Sequence, residues 1–445
     1  MYKQSTRVSK ISLFIAANLF FCELFALPAG ANRLRIYEQQ YVNRTLDSSR
    51  IRALNNYQSQ EFSPEEAEVF QIRSFWFDIS KLHLFINGSQ EGSALNSFSR
   101  VNSKGHSQVL MLVHPESEDF FQQHLNFAEA GPIFMATSTA SSRTLLVWQE
   151  DDPEKVFFGK LSLAKEIGGV VRTIPRGEVA RSLGVSKILE RIRNDLPSNF
   201  DFLPEFLGLI PRDLERGGMI LRAFPKQYLS GERHLMPMFA LYTPSKKTGK
   251  SPLQRMIETS GKHPREILRE RLFKPFIHQW LELVIDQGIT MEAHAQNVLL
   301  EINSRNLPSG KFVHRDFGGF NIDLSFRREK NLPLPAGLPV IETENSDYHQ
   351  EHHLKAIKQS LLTHFEGGFL YGLSKELKRL RYRSLDYDNL ILEVRELLAE
   401  ELKRRGGLIT KQIHHQNFYD DVVNAILKQR SDVQRRIPSC SEIIL

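Results

Sequence analysis

Hydroxyl and basic side chains on successive apolar runs of the chain could bind a phosphorylated small molecule. Ser141, Arg143 and Thr144 begin one run, Lys160 lies on the next, and Arg172 follows twelve residues later. Arginine forks match phosphate oxygens and lysine supplies a point charge, so this set suits a triphosphate. The sequence has no GxxxxGK[ST], which excludes a P-loop enzyme. Solvation of edge strands by arginine and lysine is the alternative interpretation.

A second polar group lies in the run TMEAHAQNVLLEIN, which predicts a helix with Thr290 as its N-cap. On a helix, Glu292 and Gln296 share one face, and His294 and Asn297 lie three residues apart. A zinc helix needs two histidines at i and i+4, and this run has one. A carboxylate and amides suit Mg²⁺ and a nucleotide, with His294 as a polar contact or proton carrier. A solvated helix face is the alternative.

A third group, VHRDFGGFNIDL, has the spacing of a protein-kinase catalytic loop. His314, Arg315 and Asp316 form H-R-D, and Asn321 stands where a kinase places a magnesium ligand. The other kinase signatures are missing, because no GxGxxG precedes Lys160 and no D-F-G follows Asn321. A kinase-like phosphotransferase, with Asp316 as base and Asn321 on Mg²⁺, is therefore an alternative that rests on one motif.

The elements that must position these groups follow from the apolar patterning. Residues 32–105 are polar and irregular, whereas short apolar runs from 106 onward predict the strands of a mixed sheet. A charged run with helical spacing follows, and a polar segment rich in glycine and proline, 243–252, predicts a linker. Beyond it we expect a long helix that ends at Gly288 and a mostly helical remainder. The predicted domains are 1–31, a signal peptide or N-terminal helix; 32–105, a divergent or truncated region; 106–245, a phosphate-binding region; and 251–445, a nucleotide- and metal-binding region.

Composition narrows the class of protein. The chain has 445 residues, 41% hydrophobic and 25% charged, which is typical of a globular protein with two or three subdomains. The net charge of +6 suits an enzyme that handles anions. The sequence has no basic run with interleaved aromatic residues, so we do not expect it to bind nucleic acid. With Cys22 and Cys440 alone, the sequence has no disulfide framework and no CxxC metal site.

The N-terminus has two interpretations. Basic residues precede an apolar run, and AGA at 29–31 resembles a signal-peptide cleavage site. However, Asn18 and Glu23 interrupt the apolar run, and an enzyme that consumes ATP needs the cytoplasmic supply. We therefore predict an amphipathic N-terminal helix and a cytoplasmic protein, with secretion as the alternative. No later run is long enough to span a bilayer, so a membrane protein is not expected.

Taken together and in order, these motifs resemble those of the NRPS-independent siderophore (NIS) synthetases, the aerobactin-synthetase-like enzymes. That family has an S-x-R-T strand, a K-L-S-L strand with a later arginine, an E-x-H-x-Q-N segment and an R-D-x-x-G loop. This chain has S-S-R-T at 141–144, K-L-S-L at 160–163 with Arg172, E-A-H-A-Q-N at 292–297 and R-D-F-G-G at 315–319. VHP at 113–115 is similar to a further family segment. The resemblance covers about 110–435.

The resemblance implies an α+β fold shaped like a cupped hand, with mixed-sheet fingers and a largely helical palm that is kinase-like only in its ATP loop. ATP and Mg²⁺ would bind between them. A citrate-like carboxylate would be adenylated and joined to an amine or hydroxyl, in a protein that could be a homodimer. The implied ATP contacts are Ser141, Arg143, Thr144, Lys160, Gln296, Asn297 and Arg315. The implied metal ligands are Glu292 and Asp316, and the implied catalytic and carboxylate residues are Arg172 and His294, with Arg222 as a second carboxylate clamp.

One family motif is missing. The N-terminal G-H-P-x-H-P-x-x-K-x-R-x-G segment, which contributes to the carboxylate site in the family, has only His106 as a remnant here. A homologue that binds nucleotide without turnover is therefore a further alternative. The ATP half of the site matches the family better than the carboxylate half does.

Overall fold

The computed structural model describes most of the chain between residues 27 and 406. The signal-peptide alternative, which concerns residues 1–31, lies largely outside the described part. The described residues are 27–40, 62, 64, 69–87, 96–125, 128–141, 143–167, 170–245, 247–334, 355–406, 422 and 424.

Strands dominate the first part of this region. In chain order they are β1 (Phe70–Asp78), β2 (Leu82–Ile86), β3 (Ser99–Val101), β4 (Ser107–Val113), β5 (Glu129–Ala130), β6 (Phe134–Ser138), β7 (Thr144–Gln149), β8 (Asp152–Leu161), β9 (Glu166–Ile167), β10 (Val170–Val171), β11 (Phe200–Phe202), β12 (Glu205–Pro211), β13 (Met219–Ala223), β14 (His234–Pro237), β15 (Ile289–Thr290), β16 (Val298–Ile302), β17 (Pro308–His314) and β18 (Asn321–Ile322).

Helices occur throughout the described region and are most frequent after residue 252. They are α1 (Ala29–Gln40), α2 (Glu118–Leu125), α3 (Arg176–Arg191), α4 (Pro252–Ser260), α5 (Pro264–Leu268), α6 (Lys274–Leu281), α7 (Leu324–Glu329), α8 (Tyr371–Arg379) and α9 (Tyr387–Arg404). Wide π-type turns at Arg269–Phe273 and Glu282–Asp286 extend α5 and α6 into one long helix that stops just before Gly288, as predicted. None of the described helices is long and apolar enough to cross a membrane.

Ten strands form one antiparallel sheet in the order β2-β12-β13-β8-β7-β6-β1-β4-β3, with β5 beside β1. We predicted a mixed sheet here, but its described strand pairs are antiparallel, because short turns join β6 to β7 and β7 to β8 as hairpins. The irregular structure predicted for 32–105 is also wrong in part. Strand β1 lies inside the sheet between β4 and β6, and its Phe75, Trp76 and Phe77 are buried.

A second sheet, β11-β17-β16-β14, links the large sheet to the helical region. Its β11 and β17 pair in parallel, which is where the predicted mixed pairing occurs. A large apolar core then joins this sheet to the helices, and it contains Phe276, Trp280 and Leu373. Residues on both sides of the predicted linker 243–252, such as Leu241 and Leu253, belong to this same core.

The prediction of a helix that begins at Thr290 is wrong. The structure has the two-residue strand β15 there, then irregular turns over 291–297, then strand β16. Strand β16 pairs with β14 on one side and β17 on the other, and all five of its residues are buried. An apolar run without polar alternation fits a buried strand as well as a helix, so periodicity alone could not decide.

Helix α3 lies very close to the large sheet. A Cβ atom at Gly208 would lie 2.6 Å from side-chain carbons of Val179 and Leu183, and one at Gly218 would lie 2.6 Å from Val179. Two glycines of the sheet therefore make room for the apolar face of α3, which packs with Ile220. This close approach brings the first turn of α3, and with it Glu178, to the site described below.

Helix α1 joins the two sheets from outside. Its Ala31 and Leu34 are fully buried, in an apolar cluster with Tyr228 and Trp148. Gly30 lies so near the carbonyl of Tyr228 that a Cβ there would collide with the oxygen. Helix α1 is thus an integral part of the core, whereas the N-terminal helix predicted within 1–31 lies largely outside the described residues.

Candidate active site

One face of the large sheet carries the polar side chains of the site. Thr144 of β7 lies directly opposite Lys160 of β8, so their side chains share a face. Two residues back along β8, Phe158 lies opposite Arg222 of β13, which places Arg222 on the same face. The Lys160 side chain is only 4% exposed, so its ammonium group must find its partners within the protein.

Lys160 is the centre of a buried charge cluster. Its Nζ lies 2.9 Å from Oε1 of Glu178 and forms an ion pair with Oδ1 of Asp316. Arg143 also contacts Glu178, with Nη2 2.9 Å from the same oxygen. Burial opposes ionisation of Glu178, but Lys160 and Arg143 outweigh it and lower the pKa of its carboxyl group. Glu178 thus occupies, in the free protein, the position between two cations that an anionic ligand would seek.

Asp316 is held in an unusual backbone conformation. Its φ and ψ of 68° and 71° are left-handed, which is uncommon for a residue other than glycine. Such strain often accompanies functional positions. Burial opposes ionisation of Asp316 too, but Lys160 and Arg222 outweigh it, and the pKa of Asp316 lies well below its ordinary value. Asp316 is therefore a carboxylate at every pH at which the protein would work.

Arg222 is paired with a carboxylate that sequence reasoning missed. Its Nη2 and Nε lie 2.6 and 3.2 Å from Oε1 of Glu205, and its Nη2 lies 4.0 Å from Asp316. Glu205 is fully buried, and burial raises the pKa of its carboxyl group against the opposing effect of Arg222. The guanidinium predicted to clamp a substrate carboxylate is, in this structure, occupied by Glu205.

The segment 292–297 meets the Asp316 loop from the other side. Asn297 donates from Nδ2 to Oε2 of Glu292 at 3.1 Å, and the Gln296 backbone N–H donates to Nδ1 of His294 at 3.2 Å. The Glu292 carboxylate lies against the backbone of Gly319, where a Cβ would have no room. The structure therefore brings the second and third sequence groups together, although through a turn and not through the predicted helix.

A further histidine, His364, joins this second group. Its ring lies 5.6 Å from that of His294, and its Nε2 lies 3.7 Å from Oε1 of Glu292. His364 is 70 residues away from His294 along the chain, on the π-helix Gln359–Leu370. No local motif marks it, so only the fold could identify it.

Arg315 is almost fully buried, and its contacts are with the protein itself. Its Nε and Nη2 donate to the carbonyl of Gln296 at 3.1 and 2.8 Å, and its Nη1 lies 2.5 Å from Oε1 of Glu38. The guanidinium also lies over the Phe158 ring, 6.0 Å from its centroid. The structure thus places Arg315 beneath the site, between α1 and the 292–297 segment.

The remaining predicted residues lie at the rim. Arg172 donates from Nε and Nη2 to the carbonyl of Ile167 at 3.2 and 2.9 Å, and its own carbonyl accepts from Arg143 at 3.2 Å. Burial, with the nearby charge of Arg143, lowers the pKa of Arg172. Ser141 lies on the turn before β7, where its N–H donates to Thr139. Arg143, Arg172, Thr144 and Lys160 therefore form one group, and His294 belongs to the other.

His314 and Asn321, the other two residues of the kinase-like spacing, are both built into the fold. His314 is buried, its ring stacks on Phe200 at 4.9 Å, and burial lowers its pKa to about 3. Asn321 pairs with Thr290 in a short antiparallel ladder. The H-R-D histidine is therefore a core residue here, and Asn321 is part of a strand.

The arrangement of charged and polar groups fits a nucleoside triphosphate with Mg²⁺. Lys160 and Arg143 supply the positive charge, and two buried polar atoms, Nε2 of Gln296 and Oδ1 of Asn321, have no hydrogen-bond partner within the described residues. Those residues contain no cluster of three metal-ligating side chains. Mg²⁺ commonly uses one or two carboxylates together with substrate phosphates, which Asp316 and Glu292 could provide.

Comparison with known proteins identifies the family that this chain resembles. Residues 46–243 match the IucA / IucC family, which confirms the resemblance seen in the motifs. This stretch includes S-S-R-T and K-L-S-L but not residues 292–297 or 315–319. The L-2,3-diaminopropanoate–citrate ligase of Staphylococcus aureus is 23% identical over 269 residues, 54% of this chain and 45% of that protein. The chain thus spans less than half the length of this curated relative.

Solved structures confirm the α+β fold. Petrobactin biosynthesis protein AsbB from Bacillus anthracis superposes with a TM-score of 0.62 at 17% identity, covering 90% of this chain and 73% of AsbB. ATP-bound aerobactin synthetase IucA from Klebsiella pneumoniae gives 0.58 at 19% identity, covering 78% of this chain and 65% of IucA. Aerobactin synthetase IucC from the same organism gives 0.58 at 15% identity, covering 86% and 76%.

Proposed function

Since residues 46–243 match the IucA / IucC family, we propose that this chain is an ATP-dependent ligase of the siderophore-synthetase type. It would activate a citrate-like carboxylate and condense it with an amine or hydroxyl. The observation that carries the proposal is the cluster of Arg143 and Lys160 around Glu178 and Asp316 on the face of the sheet. The names of the relatives, a citrate ligase and two aerobactin synthetases, support the class of substrate.

The chemistry explains why such a site needs many cations. Activation brings two anions together, the carboxylate and the triphosphate, and positive groups must offset their repulsion. We assign Lys160, Arg143, Ser141 and Thr144 to the phosphates. On binding, the phosphates would replace Glu178 as the partner of Arg143 and Lys160. The nucleotide would also meet Gln296, whose Nε2 is buried without a partner among the described residues.

The carboxylate substrate would lie between the two groups of the site. We assign its binding to Arg172 and His294, with Arg222 as a second candidate once it is released from Glu205. Attack of the carboxylate oxygen on the α-phosphorus breaks the bond to pyrophosphate and gives an acyl-adenylate. The amine or hydroxyl then displaces AMP and loses its proton, and His294 is the candidate acceptor.

Asp316 and Glu292 would hold Mg²⁺, which supplies positive charge to the phosphate oxygens when it is bound. Asp316 suits this role because it stays ionised and is partly accessible, with its side chain 27% exposed. We further propose a cytoplasmic location, and the division into a phosphate-binding region at 106–245 and a nucleotide- and metal-binding region at 251–445.

The identity of the products formed from ATP, either AMP with pyrophosphate or ADP, tests this function. We expect the purified chain, incubated with ATP, Mg²⁺, citrate and a panel of polyamines and hydroxylamines, to release AMP and pyrophosphate. Lys160→Met should abolish that release, whereas Lys155→Met should not, because Lys155 is an exposed lysine of the same strand paired with Asp152. Release of ADP would contradict the ligase and favour the phosphotransferase. Stabilisation by ATP without any AMP would instead identify a homologue that binds nucleotide without turnover.

A further inference from the structure

Helix α1 lies outside all four motifs and before the matched region, yet one of its side chains reaches Arg315 beneath the site. Glu38 is 1% exposed. Its Oε2 accepts a hydrogen bond from the backbone N–H of Ala140 at 2.9 Å, and its Oε1 lies 2.5 Å from Nη1 of Arg315. One carboxylate therefore joins the turn before Ser141 to the arginine that precedes Asp316.

Arg315 extends this connection to the 292–297 segment. Its guanidinium donates twice to the Gln296 carbonyl, and its backbone N–H donates to the Asn297 carbonyl at 3.0 Å. Glu38 is thus linked, directly or through Arg315, to three of the four segments that bear the motifs. The β16–β17 hairpin already holds 292–297 beside 315–319, whereas the turn before Ser141 is far from both in the sequence.

The neighbouring Gln39 anchors the same helix independently. Its Nε2 donates to Oγ1 of Thr137 at 2.6 Å and to the carbonyl of Ser138 at 3.1 Å, both at the end of β6. Gln39 does not contact Arg315 through any of these bonds. The chain therefore offers two adjacent buried residues on α1, one that docks the helix and one that also holds the site.

A buried ion pair is a poor means of adding stability, because desolvation offsets much of the attraction. The hydrogen bond that Glu38 accepts from Ala140 does, however, fix a direction, and its ion pair with Arg315 fixes a distance. We propose that Glu38 is a positioning residue, which sets the S-S-R-T turn and the Asp316 loop at the separation that ATP requires. This role rests on the proposed function for its ligand, but the geometry exists without ligand.

Glu38→Gln tests the proposal, because it keeps the size of the side chain and removes its charge. We expect the affinity for ATP with Mg²⁺, measured by titration calorimetry at a temperature where the variant is folded, to fall at least tenfold. Glu38→Asp, which keeps the charge but shortens the reach, should fall between. Gln39→Ala should lower the melting temperature but change ATP affinity less than threefold, and Glu258→Gln, on an exposed pair with Lys250, should change neither.

Hydrogen–deuterium exchange gives a readout without nucleotide. In Glu38→Gln we expect at least tenfold faster amide exchange at Ala140 and at 315–319, with exchange in β12 and β13 unchanged. If the folded variant binds ATP and exchanges as the unchanged chain does, the positioning role is wrong. Equal losses of ATP affinity in Glu38→Gln and Gln39→Ala would also overturn it. If the unchanged chain binds no ATP, the proposed function fails, and the exchange measurement still decides the role of Glu38.

Discussion

At the scale of single residues, two carboxylates depend on the same lysine. Lys160 forms ion pairs with both Glu178 and Asp316, and its side chain is nearly inaccessible to water. Removing one partner of a buried charge group leaves the others unpaired, and this costs more than the pair itself contributes. Lys160, which we propose binds phosphate, is for this reason also a structural residue.

Lys160→Met should therefore lower the free energy of unfolding by about 3–5 kcal/mol as well as abolish ATP binding. Arg172→Ala should leave nucleotide binding largely intact and abolish turnover, because Arg172 is assigned to the carboxylate and not to the phosphates. Urea unfolding followed by fluorescence gives the stability, and calorimetry gives the ATP affinity. Equal loss of ATP affinity in the two variants would contradict the assigned roles.

Residue types and spacing predicted which side chains lie together only where those residues are close in the sequence. Thr144 and Lys160 lie on adjacent strands as expected, with Ser141 on the turn before the first of them, since hairpin partners are close in sequence. Glu178 could not be distinguished from an ordinary acidic residue in the first turn of a helix, where carboxylates are favoured anyway. Glu38 and His364 come from distant segments, and only the packing of α1 and of the helical region brings them in.

At the scale of secondary-structure elements, the packing of the short helix α1 depends on a single glycine. Gly30 fits against the Tyr228 carbonyl, and this contact lets Ala31 and Leu34 reach the core. The sequence predicted irregular structure from residue 32 onward and did not indicate this docked helix. Conversely, it predicted a helix at 290–303, where the structure has turns and strand β16, because the apolar run there suits either period.

Gly30→Ala should undock α1, because the added methyl group meets a backbone oxygen that cannot move aside easily. We expect a loss of roughly 1–3 kcal/mol in the free energy of unfolding, as for other overpacked positions, and a higher rate of proteolysis within 27–40. Gly177→Ala is the control, since a Cβ there has no heavy atom within 4 Å and alanine favours a helix. Its unfolding free energy should stay the same or rise. A Gly30→Ala protein as stable as that control would contradict the close packing of α1.

At the scale of the whole molecule, three buried histidines make stability depend on pH. Burial lowers the pKa of His114 and His234 to about 4 and that of His314 to about 3. Their exposed fractions are 0, 1 and 1%. Unfolding returns each imidazole to water, where its pKa is about 6.5. Below that value the unfolded chain binds protons that the folded chain does not.

The free energy of unfolding should therefore be nearly constant above pH 7 and fall as the pH is lowered from about 6.5 towards 4. Each histidine can contribute up to about 1.4 kcal/mol per pH unit to that fall. Urea unfolding between pH 8 and pH 5 measures the slope, and the arm above pH 7 serves as its internal control. His314→Gln should make the fall less steep. A slope that is unchanged in that variant would contradict the burial of a neutral His314.

The glycines beneath α3 have a consequence for reading sequence variants of this protein. Gly208 and Gly218 leave room for Val179 and Leu183 of α3, and the first turn of that helix carries Glu178, 2.9 Å from Lys160. A methyl group added at either position would push α3 away from the sheet. We expect this to lengthen the distance between Glu178 and Lys160 and so change the electrostatic potential around Lys160. Under the proposed function, we expect such a variant to lose activity through a displaced carboxylate even where its fold is kept.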